Sequence, residues 1–390
     1  MGTGRKQLFR SYIYGYLNEF FVGLWLTGVD LKYYKQQKFI QASNYLKLNG
    51  KTRQLFLSSC GILSFFENLI YLLLVTWQLF IVIVYRFLHN NINKIDSSDD
   101  IVVYGYGAWN LKTLLLKASI DINRVVFITY PCRNNSIYRD NRVYDLSSDL
   151  SIYDIIKSYL YSIRMIFFIK AKYGKRDALF HASNSFEYFL VYLFYLKHPE
   201  YKLCFVDLYD RWANMYGALK NTKILIQHGM IADGASFVKK IGSVDVCYVL
   251  NEQQKEVLLD LLIDNIRECK TLPSLVLSDS ILKDLNGKKS MLIICSHFYF
   301  EKEKIIISKI GQETNWNVFI KPHPLDDIEP YVFLAQKYKM NILGKSDFPR
   351  VDLAISYAST LALEYQMAGV KVLQYNDPYF EEELKKLIYE

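Results

Sequence analysis

LAISYASTLALEYQMAGVKVL, Leu353 to Leu373, packs a whole structural unit into one short stretch. A β-branched and apolar run reaching Ile355 reads as a strand and Ser356–Thr360 as a Ser/Thr-rich turn. The pattern from Thr360 to Ala368 is helical, and after Gly369 a second strand runs from Val370 to Gln374. Strand, crossover helix and strand in so little chain is the signature of an α/β fold with parallel strands.

The same alternation extends in both directions. Toward the amino terminus lie strand-like runs at Ser290–Cys295, Asn317–Ile320 and Val351–Ile355, with helices at Glu301–Ile310 and Glu252–Ile263 and a strand at Val244–Leu250. An earlier series has strand-like runs at Ile101–Gly107, ending in glycines, and at Arg124–Pro131, Ala178–Ala182, Leu203–Leu208 and Lys223–Gln227, with helical segments through Ala118 and at Phe186–Leu196. The expected architecture is therefore two Rossmann-like, doubly wound halves facing a cleft, residues 99–240 and 241–390, the second closed by an amphipathic helix from Pro378. Ligands are expected at the carboxyl ends of the strands.

Composition fits this reading. The 390 residues are 51% hydrophobic and 16% aromatic with 8 Pro, which excludes disorder and collagen-like repeats. The net charge of +8 is uneven: residues 1–98 hold 11 basic and 4 acidic side chains, leaving the rest near neutral. That argues against a nucleic-acid groove across the body and for an amino-terminal region close to an anionic surface, the inner face of the cell membrane being the expected one. Asn68–Tyr85, NLIYLLLVTWQLFIVIVY, carries no charge, and Leu8–Leu26 is rich in Tyr, Phe and Trp. Residues 1–98 thus read as a basic, hydrophobic helical attachment, with 54–88 spanning, dipping into or packing near a membrane. Scattered cysteines without metal-ligand spacing indicate a reduced compartment and no structural metal.

Three motifs fall at strand ends. ILIQHGM, Ile224–Met230, places His228 after an apolar strand and before a glycine, with Asp233 close behind. A neutral imidazole there suits removal of a proton from a hydroxyl. VFIKPHP, Val318–Pro324, delivers Lys321 and His323 to a loop stiffened by Pro322 and Pro324, which suits a phosphate leaving group. In the opening stretch, helix-start amides with Ser359 and Thr360 form an anion site, and Glu364 lies one turn along, in reach of a ribose. His297, after the strand MLIICS, is a further candidate for the same site. Gly105 and Gly107 lack the third glycine and the acidic partner of a dinucleotide fingerprint, so they read as a tight turn.

Taken together, QHG, KPHP and S-x-x-S-T-L-x-L-E resemble the GT-B glycosyltransferases of bacterial surface-polysaccharide synthesis. The nearest are the cytidine-nucleotide users: sialyl-, polysialyl- and Kdo transferases, with the related teichoic-acid glycerophosphotransferases. The resemblance spans about Asp100 to Tyr375. It implies a nucleotide sugar, CMP-linked, as donor and a glycan or lipid-linked acceptor. No metal or other cofactor is implied, and self-association is left open. His323 and Pro324 correspond to the family's HP pair at the nucleotide phosphate, and Ser359 and Thr360 to its serine-rich turn. Ala232-Asp233-Gly234 departs from the acidic-acidic-Gly motif of sialyltransferases, so His228 and Asp233 stand as alternative bases. A CDP-polyol phosphotransferase, a sugar-nucleotide 2-epimerase and a non-catalytic membrane scaffold are the competing readings.

Overall fold

A computed structural model describes residues 8–19, 50–63, 67–88, 95–96, 100–104, 111–130, 142–173, 184–206, 208–231, 235–273, 275–278, 288–296, 299–313, 316–324, 326–344, 347–357, 359–375 and 377–389. The chain divides into two compact units, Met1–Leu272 and Pro273–Glu390.

The first unit is built on seven strands: β1 (Ile101–Tyr104), β2 (Val125–Thr129), β3 (Arg142–Asp145), β4 (Lys202–Phe205), β5 (Lys223–Ile226), β6 (Ser243–Val249) and β7 (Asn265–Thr271). Their order across the sheet is β3-β2-β1-β4-β5-β6-β7, and every described pair is parallel. The chain winds outward from β1 to one edge, returns, and winds to the other, so β1 and β4 flank the switch point. β2 is VVFIT with all five residues buried, as a strand covered by helices on both faces must be.

The second unit repeats the winding on a smaller scale. Its strands are β8 (Ser290–Ile294), β9 (Asn317–Lys321), β10 (Asn341–Ile342), β11 (Leu353–Ser356) and β12 (Lys371–Gln374), in the order β10-β9-β8-β11-β12, again parallel. Here β8 and β11 flank the switch point, and the opening stretch supplies β11, the helix Thr360–Met367 and β12. The chain is thus α/β, with two doubly wound sheets.

The division falls at Leu272/Pro273 rather than near residue 240. β6 continues the first sheet by pairing with β5 in the register Ile224↔Val246 to Ile226↔Tyr248, and buries Val244, Cys247 and Val249 in the first core. β7, NIRECKT, pairs with β6 as an exposed edge strand. Its charged side chains suit an edge and give no apolar signal in sequence. The expected strand at Ala178–Ala182 and the glycines at 105 and 107 lie outside the described residues.

The first sheet carries more than one helical layer. The helix Ser185–Lys197, SFEYFLVYLFYLK, is buried from Ser185 to Tyr195, as a helix apolar on all sides must be. Helix 8–19 packs against it, with Tyr12 meeting Tyr188 edge-on at 4.9 Å and Phe9 lying 5.5 Å from Phe189. The described part of Leu8–Leu26 is therefore core: Leu8, Tyr12, Tyr16 and Asn18 are buried, and the aromatic pattern expected at a membrane boundary is spent on packing. Gly15 permits this approach, since a Cβ there would stand 2.2 Å from Arg211 Cα. Glu19 completes it by accepting from both the backbone N–H of Arg211 (2.9 Å) and its guanidinium (3.0 and 2.8 Å).

The helix Glu67–Leu88 has two characters. Val75 and Val82, two turns apart, are fully buried in the first core, while Leu72, Leu73, Trp77, Phe80, Phe87 and Leu88 are exposed. It packs beside the helix Ile152–Tyr173, whose Tyr153, Ile156, Leu160 and Phe167 form a second exposed apolar stripe. Among the described residues no helix is long and apolar enough to cross a membrane.

Candidate functional site

At the carboxyl end of β5 the turn Gln227–Ile231 is fixed by two buried amides. Gln227 Nε2 donates to Gly229 O (2.9 Å) and to Gln254 Oε1 (2.8 Å), and its Oε1 accepts from Leu250 N–H (3.1 Å). Gln254 Oε1 also accepts from Ile231 N–H (2.9 Å). Between these anchors His228 is held at the surface with Nδ1 2.5 Å from the carbonyl of Val206, the residue following β4. A carbonyl can only accept, so Nδ1 carries the proton and Nε2 is the basic nitrogen. The protein packed around the ring holds its pKa below the ordinary histidine value, only partly offset by the Val206 hydrogen bond. His228 is therefore a neutral imidazole of defined tautomer at the end of a central strand. Asp233, the alternative base, lies outside the described residues, as does His297.

The second unit gathers a different set at the carboxyl ends of β8, β9, β11 and β12. Ser356, buried, donates its hydroxyl to Ile294 O (3.1 Å), and Ser296 donates to Tyr357 O (2.6 Å), which ties the two switch-point loops together. Ser359 is the N-cap of the helix Thr360–Met367, yet its side chain makes no capping hydrogen bond. Thr360 and Glu364 follow on that helix, both half-buried. His323 and Pro324 lie just past β9, where the carbonyl of His323 accepts from Asp326 N–H (3.0 Å) and begins the turn. β9 and β11 both flank β8, so His323 and Ser359 emerge about 10 Å apart by strand spacing, on the same edge of one sheet.

Lys321 does not join them. It is buried, and its ammonium donates to Gly344 O (2.5 Å) and Asp347 O (2.9 Å) over the ring of Phe348. Burial pulls its pKa down, the nearby Asp347 opposing. The expected phosphate ligand is instead a strut for the Gly344–Phe348 loop, because a lysine ending a strand buried on both faces can turn inward where carbonyls await it.

Sequence reasoning passed over two further features. Tyr299, Tyr357 and Tyr375 follow β8, β11 and β12 and touch in series, with ring centroids 4.3 and 5.1 Å apart; Lys302 Nζ lies 5.6 and 5.3 Å from the first two rings. Burial and the neighbouring Tyr357 push the Tyr299 hydroxyl up to about 12, so it remains protonated at neutral pH. Behind them Glu303, fully buried, accepts from Ser296 N–H (2.6 Å) and Tyr331 OH (2.7 Å). Desolvation raises its carboxyl pKa, the two hydrogen bonds opposing. The only signal for the tyrosines was their place after strands, lost among 32 Tyr and 24 Phe.

Among the described residues no group of three or more His, Cys, Asp or Glu is placed to hold a metal. No protein-family model and no curated protein matches the chain. Solved structures similar to it include three at 10% identity. A wall teichoic acid polymerase TagF variant soaked with CDPG for 30 minutes has a TM-score of 0.38, covering 82% of this chain and 80% of that one. Acinetobacter baumannii MurG has 0.36, covering 74% and 90%. The same TagF variant after a 15 minute soak has 0.36, covering 80% and 78%. Likeness of that size leaves function to the chemistry of the site itself.

Proposed function

We propose that the chain is a GT-B-type glycosyltransferase that moves a sugar from a nucleotide-activated donor to a cell-surface glycan or lipid-linked acceptor. The observation that carries this reading is His228: a surface imidazole, neutral at pH 7, with Nδ1 engaged by Val206 O and Nε2 as the base. Such a group takes a proton from a hydroxyl. Supporting a nucleotide site on the second unit are a helix start with Ser359 and Thr360 for phosphate, His323 on the same sheet edge, and Glu364 for a ribose hydroxyl.

In the proposed reaction the acceptor O–H gives its proton to His228 Nε2 as the oxygen bonds to the anomeric carbon. The bond from that carbon to the donor phosphate breaks, and the nucleotide leaves with the electron pair, its charge met by the helix start and His323. No metal is invoked. We favour a CMP-linked sialic-acid or Kdo-type sugar, a reading that rests on the motif resemblance. The exposed apolar faces of Glu67–Leu88 and Ile152–Tyr173, together with the basic excess in the sequence of residues 1–98, support work at the cytoplasmic face of a membrane.

The test is nucleotide release from CMP-, CDP-, UDP- and GDP-linked donors in the presence of membrane-extracted acceptor. One donor class should turn over, and His228→Ala should lose that turnover while still binding the nucleotide. Turnover unchanged by the substitution would overturn the assignment. Phosphorus transferred to the product would instead mark a polyol phosphotransferase.

A further inference from the structure

The first unit has a polar cavity at the opposite end of its strands from His228. Gly242 precedes β6 and Asp264 precedes β7, so both lie at the amino-terminal edge of the sheet, about 20 Å from the carboxyl end of β6 by strand rise. A cavity of about 470 Å³ opens there, walled on one side by Arg10, Ser11 and Tyr14 of helix 8–19 and on the other by Lys239, Lys240 and Asp264. Its floor is a close crossing of backbones: a Cβ on Gly217 would stand 1.6 Å from Ile241 O. Only glycine permits that approach, so the hollow is built into the packing between helix Arg211–Ala218 and the strand entry.

The charge of the lining is unbalanced. Three cationic side chains face one carboxylate, and no described carboxylate lies within ion-pair distance of Arg10 or Lys239. Lys239 Nζ rests 5.2 Å from the ring of Tyr14, and Lys240 gives one of its three donors to Leu259 O (2.6 Å). A lining that includes Arg10, Lys239 and Lys240 with Ser11 and Tyr14 suits the double charge of a phosphate ester. The volume exceeds that of the anion alone and falls in the range of organic ligand pockets.

We infer that this cavity is a binding site for a phosphate or diphosphate ester, separate from the donor site proposed above. The ester could be carried by a soluble small molecule or by a lipid headgroup, and the experiment separates these.

Hydrogen–deuterium exchange of the full chain is followed in peptides covering 8–19, 211–218 and 239–242, with sodium pyrophosphate in one arm and phosphatidylglycerol/phosphatidylcholine vesicles in the other. Pyrophosphate should slow exchange there. The Arg10→Gln/Lys239→Gln protein should need about tenfold more of it for the same protection, since two charge-assisted contacts are lost. Asp264→Asn, which removes the one acid, should need less. Protection by vesicles that the double substitution abolishes assigns the headgroup as source; protection by pyrophosphate alone assigns a soluble ester. No protection by either probe, or protection that the double substitution leaves unchanged, overturns the site.

Discussion

The two sheets share a winding order, a switch point beside their first strand and an apolar core, yet their carboxyl edges carry different chemistry. The first presents one surface histidine of fixed tautomer, held by buried glutamines and a backbone carbonyl. The second presents a helix start, a histidine loop and three linked tyrosines backed by a buried carboxyl. One frame used twice carries a surface imidazole at one carboxyl edge and a helix start with three linked tyrosines at the other. Fold alone therefore says little about which half does what; the residues at the strand ends decide it.

The sharpest way to break this contrast is at His228. His228→Ala should lower turnover by about 10²- to 10⁴-fold, the span of a lost general base, with nucleotide affinity unchanged. Because the protein packed around the ring holds the His228 pKa down, the neutral base persists as pH falls past the ordinary histidine value. The acid limb of the rate profile should accordingly lie below pH ~6.5. A limb at or above that value would show that another group is the base.

In the second unit the largest effect is on stability. Glu303→Ala removes the acceptor of Ser296 N–H, at about 1–3 kcal/mol read from chemical denaturation, and leaves Tyr331 OH only its longer bond to Asp326 Oδ2 (3.3 Å). Glu303→Gln, which can still accept from Ser296 and meet Tyr331, should lose much less. A smaller effect separates a strut from a ligand: Lys321→Met should cost about 1–3 kcal/mol by freeing two carbonyls, with nucleotide affinity unchanged. A fall in nucleotide affinity that outruns the loss of stability would return Lys321 to the phosphate site. Smallest is Ser359→Ala. An N-cap serine normally contributes about 1 kcal/mol, but this hydroxyl makes no capping bond, so melting should barely shift while nucleotide binding weakens several-fold.

Much of this was readable in the sequence, and the reason is burial. Strands covered on both faces, such as Val125–Thr129 and Ser290–Ile294, are unbroken apolar runs, and the motifs at their ends land where parallel winding puts them. Edge strands were harder. β7 carries Arg267, Glu268 and Lys270, and β10 is two residues long, so neither has an apolar period to detect; the expected division at 240 followed from taking β6 as the first strand of the second half. The inward turn of Lys321 was equally hidden, because whether a lysine at a strand end meets solvent or carbonyls depends on a loop more than twenty residues away. Helix 8–19 shows the converse: its aromatics are as suited to a membrane boundary as to a core, and only packing against Tyr188 and Phe189 distinguishes them.

The central proposal is that the carboxyl edge of the second sheet binds a nucleotide through His323, independently of His228 on the first. Its most direct test is thermal denaturation of the full chain with CMP, CDP, UMP, UDP and GDP, repeated with His323→Ala and His228→Ala. The account predicts that one nucleotide, CMP on the motif resemblance, stabilises by about 2.7 kcal/mol at a hundredfold excess over its dissociation constant. That gain should disappear in His323→Ala and survive in His228→Ala. A chain that no nucleotide stabilises, or a gain that His323→Ala leaves intact, would contradict it.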